Sequence, residues 1–183
     1  MNSHPEDSVG AQAKAGDKAA FEALVRREKS GLYSFVRRYV GDPDEAYDIV
    51  QDSFIAAWRS IHRYDPARPF GVWLRTIALN KCRDHGRRAA VRRALARAFA
   101  VETPPPSEPV EGGRRMDEQL RRLDLAIASL PAIYKEPLLL TTAGGLSQAE
   151  AAKALKTSVK GVEMRLRRAR TKLAEMLAES AEG

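Results

Sequence analysis

The chain has 183 residues, room for one ordinary domain or two small ones, with 44% apolar residues and a net charge of +7, a balance that favours an anionic partner such as nucleic acid or a membrane surface. No stretch approaches the roughly 18 consecutive apolar residues of a membrane span, and MNSHPEDSVGAQAKAGDKAAF has no apolar run of the secretory type, so a cytoplasmic protein without membrane insertion is expected. The one cysteine, Cys82, excludes an intrachain disulfide and any zinc-ligand spacing, and its place on a stripe with Ile77 and Ala78 predicts a buried thiol.

Residues 1–16 are small and polar and are expected to be disordered. Helical spacing begins with Phe21, Leu24, Val25, Leu32, Phe35, Val36 and Tyr39, and Gly41-Asp42-Pro43 ends it. Asp44 is the expected cap of the next helix, which carries Ile49, Val50, Phe54, Ala57, Trp58 and Ile61 on one face. Two prolines mark a loop, Tyr64 to Pro69. A third helix starts near Phe70 with Trp73, Leu74, Ile77 and Ala78, then turns basic over Asn80 to Arg88, with Arg92, Arg93 and Arg97 beyond.

VETPPPSEPVEGG, Val101 to Gly113, cannot lie inside a helix and reads as a linker, extended where the prolines stand. Helical spacing resumes near Met116 through Leu120, Leu123, Ile127 and Leu130; Pro131 opens a further helix, and Pro137 falls within it. Ser147 with Glu150 three residues on has the capping-box spacing before QAEAAKAL. Lys156-Thr157-Ser158 is a tight turn into a long basic helix from about Val159, with Val162, Leu166, Ala169, Leu173 and Leu177 on one stripe. The fold class that follows is all-α: two small helical domains joined by a flexible linker, the C-terminal one a helix-turn-helix. The expected boundaries are 17–97, a linker over 98–115, and 116–179.

A short helix, a tight turn and a basic helix leave the basic face free for the major groove. Lys156 stands where glycine is common; a left-handed backbone there would cost roughly 1 kcal/mol. The other basic cluster, Lys81 to Arg97, lies near Tyr64, Phe70 and Trp73. Rings beside cations suit single-stranded nucleic acid, since bases stack while phosphates meet arginines. The competing reading is that Phe70, Trp73 and Leu74 are core. The histidines, His4, His62 and His85, are scattered, and no phosphate-binding loop of the GxxxxGK[ST] type occurs. Asp48 and Asp52, one helical turn apart, lack further ligands and read as a protein-contact face. No cofactor and no enzymatic activity are expected.

The stretch DEAYDIVQDSFIAAWRSIHRYDPARPFGVWLRTIALNKCRDHGRR, Asp44 to Arg88, resembles region two of extracytoplasmic-function sigma factors. LPAIYKEPLLLTTAGGLSQAEAAKALKTSVKGVEMRLRRARTKLAEML, Leu130 to Leu177, resembles their region four. The resemblance implies a transcription initiation factor whose partners are core RNA polymerase, promoter DNA both duplex and single-stranded, and an anti-sigma factor. It assigns polymerase binding to Asp44, Glu45, Asp48, Gln51, Asp52 and Phe54, with Tyr47 standing where many relatives carry an acid. The minus-ten element falls to Arg63, Tyr64, Arg68, Phe70, Trp73, Asn80, Lys81, Arg83, Arg87 and Arg88. The minus-thirty-five element falls to Lys160, Gly161, Met164, Arg165, Arg167 and Arg168. Two rivals stay open: a helix-turn-helix regulator that binds DNA without polymerase, and a sigma mimic that sequesters an anti-sigma factor.

Overall fold

A computed structural model describes residues 5–98 and 115–179, and these are helical with short connections. The N-terminal half contains α1 (Pro5–Lys14), α2 (Lys18–Val40), α3 (Pro43–Arg59), a 3-10 turn at Ile61–Arg63 and α4 (Phe70–Ala98). The C-terminal half contains α5 (Arg115–Ser129), α6 (Ala132–Thr142), α7 (Gln148–Ala154) and α8 (Val159–Glu179). The all-helical, two-domain expectation holds. The linker expected over 98–115 lies almost wholly outside the described residues.

The caps follow from side-chain chemistry. Asp17 accepts from the amides of Ala19 and Ala20 and starts α2. At α3 the expected cap is corrected: Asp42, not Asp44, accepts from the amides of Asp44 and Glu45, both at 2.9 Å. The reason is Pro43, which has no N–H to satisfy and fits the first helical position, so the cap falls just before it. Asp44 and Glu45 lie instead in the first turn, where acids complement the helix dipole.

Residues 1–4 lie outside the described residues, and the expected disorder of the N-terminus is also corrected over residues 5–14, which form α1. Its apolar content is too sparse to show a period, yet small residues let it pack closely. Ala13 is fully buried, and a Cβ built on Gly10 would meet the Tyr64 ring at 3.1 Å.

The core of the N-terminal half is built from α2, α3 and α4 around Leu24, Leu32, Phe35, Ile49, Ala57, Phe70, Leu74 and Leu79. Phe21 contacts Trp58 at 4.9 Å between ring centres and meets Phe70 edge-on at 6.1 Å. Cys82 is buried as expected, and burial pushes its thiol up to about 12, which removes the thiolate that reactivity needs. Arg75 on α4 bridges to Glu28 on α2 at 3.1 Å. Side chains at Gly31 and Gly71 would collide with that pair, so these glycines make room for it.

In the C-terminal half α6 and α7 pack on α8, burying Leu138, Leu139, Leu140, Ala151, Ala152, Val162, Leu166 and Ala169. The two halves also touch: α2 packs on α5 and α6. A Cβ on Gly41, the left-handed C-cap of α2 at φ 87°, would stand 3.0 Å from the Ala128 methyl of α5.

Candidate nucleic-acid interface

The helix-turn-helix is assembled by local rules. Ser147 Oγ accepts from the Glu150 amide at 3.2 Å while Glu150 Oε2 accepts from the Ser147 amide at 2.9 Å, the reciprocal capping box. The Glu150 carboxyl is held below the ordinary range first by the Ser147 amide, then by the Ser147 hydroxyl and Arg68. At the other end of α7 the Lys156 amide donates to Lys153 O at 3.2 Å and the Thr157 amide to Ala152 O at 2.9 Å. That pair of bonds is a Schellman turn, and it places Lys156 in the left-handed region at φ 51°. Ser158 Oγ then accepts from the Gly161 amide at 3.0 Å at the start of α8. A side chain at Gly161 would press on the hydroxyls of Thr157 and Ser158, so glycine keeps this turn tight.

Val162, Leu166, Ala169 and Leu173 bury one stripe of α8. Lys160, Met164, Arg167 and Arg168 are exposed and Arg165 is half-exposed. Among the described residues no carboxylate pairs with Lys160, Arg165, Arg167 or Arg168. The face is an uncompensated basic surface next to a packed hairpin, the geometry a recognition helix needs.

The second group of expected DNA residues divides. Tyr64 and Phe70 are 3% and 1% exposed, which corrects their assignment as base-stacking rings. They are core: Tyr64 meets Phe70 edge-on at 5.4 Å, and Trp73 leans on both at 5.2 and 5.6 Å. Trp73 remains half-buried. The loop above them closes on itself. Tyr64 donates its hydroxyl to Arg68 O at 2.6 Å, and Asp65 accepts from the Ala67 amide at 3.1 Å. Arg63, Arg68, Asn80, Arg87 and Arg88 are exposed, and Lys81 and Arg83 half-exposed. The structure thus brings a basic surface together along the loop and α4, with Val91 and Arg92 continuing it past Arg88.

That surface is partly engaged from the C-terminal half. Arg83 donates to both oxygens of Glu136 on α6, at 2.7 and 2.5 Å, and to Asn80 Oδ1 at 3.4 Å. The hydrogen bonds to Glu136 raise the Arg83 pKa further. Tyr39 donates to the same carboxylate at 3.2 Å; burial and the Glu136 charge push its phenol above the usual range. Lys135 reaches Tyr39 O at 2.9 Å and also Ala128 O, and burial lowers its pKa. Arg68 pairs with Glu150 at 3.0 Å. Arg87 pairs with Asp84 on its own helix.

The third surface lies on α3. Asp44, Asp48, Gln51 and Asp52 are exposed along one face; Glu45 and Phe54 are half-buried, and Glu45 stands 3.7 Å from His85. Two apolar side chains, Tyr47 and Ile55, project among the acids at 52% and 49% exposure. Ile55 escaped sequence reasoning, although its place off the apolar stripe was a signal. An acidic rim around exposed apolar groups is the composition of a protein-contact face.

Comparison with known proteins converges on one family. Sigma-70 region 2 matches at residues 24–92, and Sigma-70, region 4 at residues 120–173. The RNA polymerase sigma factor CnrH of Cupriavidus metallidurans is 37% identical, over 98% of this chain and 99% of its own. The sigma factor NccH of Alcaligenes xylosoxydans xylosoxydans is 38% identical over 96% of each. The solved structure of CnrH in complex with the cytosolic domain of CnrY matches with a TM-score of 0.69 and 33% identity, covering 95% of this chain and 97% of the other. The chain belongs to the extracytoplasmic-function sigma factors of bacterial RNA polymerase.

Proposed function

We propose the following division of labour within a sigma factor that binds core RNA polymerase and directs initiation at specific promoters. Residues 17–97 bind polymerase and hold the minus-ten element, residues 98–115 link the halves, and residues 116–179 read the minus-thirty-five element. The polymerase contact is the α3 face of Asp44, Asp48, Gln51 and Asp52, flanked by Glu45 and Phe54, and to it we add Tyr47 and Ile55. Arg63, Arg68, Asn80, Lys81, Arg83, Arg87 and Arg88 line the path of the opened strand, with the exposed edge of Trp73 beside it. Lys160, Gly161, Met164, Arg165, Arg167 and Arg168 meet the duplex. The chain supplies binding and positioning, and the polymerase supplies the catalysis; the site of action is the cytoplasm. The solved complex of CnrH with the cytosolic domain of CnrY supports an anti-sigma factor as a partner of this chain too.

The observation that carries the reading is the bare basic face of α8 against a packed helix-turn-helix, joined in one chain to the acidic face of α3. In vitro transcription with core polymerase over a genomic library tests it. The expected result is initiation at sites sharing two elements at a fixed spacing. DNA binding without promoter-specific transcripts would return the chain to an ordinary regulator.

A further inference from the structure

The contact between the two halves includes several charged pairs, and two of their arginines are ones assigned above to the opened promoter strand. Arg83 spends its guanidinium fork on Glu136, and Arg68 meets Glu150. A carboxylate offers a guanidinium two oxygens in the arrangement that a phosphate offers, so each glutamate sits as a phosphate would. Glu136 is only 8% exposed, and Tyr39 supplies it with another hydrogen bond. Asn80 contacts Arg83 on the same helix, so holding Arg83 also restrains Asn80. Around this pair lie Arg38 to Asp124 at 2.8 Å and Lys135 to Tyr39 O at 2.9 Å. By contrast, the basic face of α8 and the acidic face of α3 stay open in the docked protein.

We propose that the seam is an internal lock in which Glu136 and Glu150 occupy Arg83 and Arg68 in place of DNA phosphates, so that docking of the two halves and binding of a single strand exclude each other. The proposal rests on the assignment of Arg68 and Arg83 to the opened strand. The free chain rests docked, with its polymerase and duplex faces available. A single strand gains the two arginines only when the halves part. A binding-competent state populated at a tenth or less weakens apparent affinity by about tenfold or more.

The test uses the full chain with Glu136→Gln and Glu150→Gln, singly and together. Glu175→Gln is the control, since Glu175 is an exposed acid on α8 away from the seam. Small-angle scattering reads docking, and anisotropy of a fluorescein-labelled random-sequence single-stranded DNA reads access to the arginines. The double variant should expand and should bind the strand at least about tenfold more tightly than Glu175→Gln does. Unchanged dimensions would overturn the lock. Expansion without a gain in affinity over the control would overturn the masking, while promoter-specific transcription by the wild type would still report on the assigned function separately. A reversible variant guards against loss of folding. Gly41→Cys with Ala128→Cys brings two thiols together across the seam at a Cβ separation of 3.0 Å, just under the disulfide range, and unchanged helical circular dichroism of the reduced form checks that the left-handed position at Gly41 accepts the side chain. Oxidised, this protein should lose single-strand binding at least about tenfold and keep duplex binding, and reductant should restore it. Equal strand binding in both redox forms would overturn the proposal.

Discussion

Two basic surfaces of this protein, on α4 and on α8, have similar composition and different surroundings. The α8 face has its apolar stripe buried against α6 and α7, and no carboxylate among the described residues answers its cations. The α4 face has Arg83 paired with Glu136 and Arg87 paired with Asp84, and the neighbouring loop has Arg68 paired with Glu150. Charge in the sequence does not distinguish them. The difference comes from where the chain brings its acids: Glu136 lies on α6 opposite α4, whereas α8 projects away from the seam. A basic cluster is therefore a binding surface only to the extent that its own fold leaves it unpaired.

The largest effect expected concerns the surface of opposite sign. Asp48 and Asp52 stand on the open face of α3 and share no pair with the seam. Reversing both to lysine should abolish co-purification with core polymerase while the helical circular dichroism stays unchanged. In the same assay Glu136→Gln should bind core as the wild type does, since the α3 face is open whether the halves are docked or not. Retained binding by the double reversal would remove α3 from the polymerase interface.

Next comes the contrast between the basic faces themselves. Arg165 on α8 is half-exposed and unpaired among the described residues, so its truncation should register fully in the free protein. A base-edge arginine is worth about 1–3 kcal/mol of discrimination. Arg165→Ala should weaken binding to a minus-thirty-five duplex by that amount relative to random duplex, measured by fluorescence anisotropy at fixed salt. Equal losses on both duplexes would make Arg165 a phosphate contact only. Arg83→Ala should leave duplex affinity unchanged in the same experiment.

What could be read from the sequence follows the same division between local and long-range causes. The capping box at Ser147 and Glu150 and the turn at Lys156 depend on neighbours a few residues apart, and both were legible. So was the buried stripe of α8, because its period survives in one helix. The cap of α3 was displaced by one local fact, the proline at position 43. Phe70 was ambiguous, and Tyr64 was misassigned, because a ring near arginines looks the same whether it faces a base or a core. Their partners, Phe21 on α2 and Gly10 on α1, lie far back in the chain. The seam was invisible for the same reason: Lys135 and Glu136 read as ordinary polar residues of an apolar helix until the fold sets them against Tyr39 and Arg83.

A smaller effect sharpens the role of Glu150, which belongs to the hairpin and to the seam together. Ser147→Ala removes one half of the capping box and should cost about 1 kcal/mol in chemical denaturation at neutral pH. Because the folded-state pKa of Glu150 is depressed, its carboxylate contributes stability above the ordinary glutamate value of 4.5, and that contribution is lost as pH falls through the folded value. The gap between Ser147→Ala and wild type should accordingly shrink in acid below that value. A gap independent of pH would mean that the serine hydroxyl stabilises α7 without help from the glutamate charge.

The smallest effect is expected at Lys156, where sign matters more than size. The Schellman turn needs a left-handed residue here, and φ is 51°. An L side chain pays roughly 1–2 kcal/mol for that region, which glycine avoids. Glycine also frees the unfolded chain, and that offsets about 0.5–1 kcal/mol of the gain. Lys156→Gly should then stabilise the protein by a few tenths to about 1 kcal/mol, read as a higher denaturation midpoint at unchanged slope. Lys156 is exposed and lies in the turn before the recognition helix, so its charge has a separate readout. If the lysine also meets a phosphate, the variant should show a smaller salt slope for duplex binding by about one. A stabilised protein with an unchanged salt slope would assign Lys156 no part in DNA binding. A destabilised one would show that the lysine stem makes packing contacts worth more than the strain it carries.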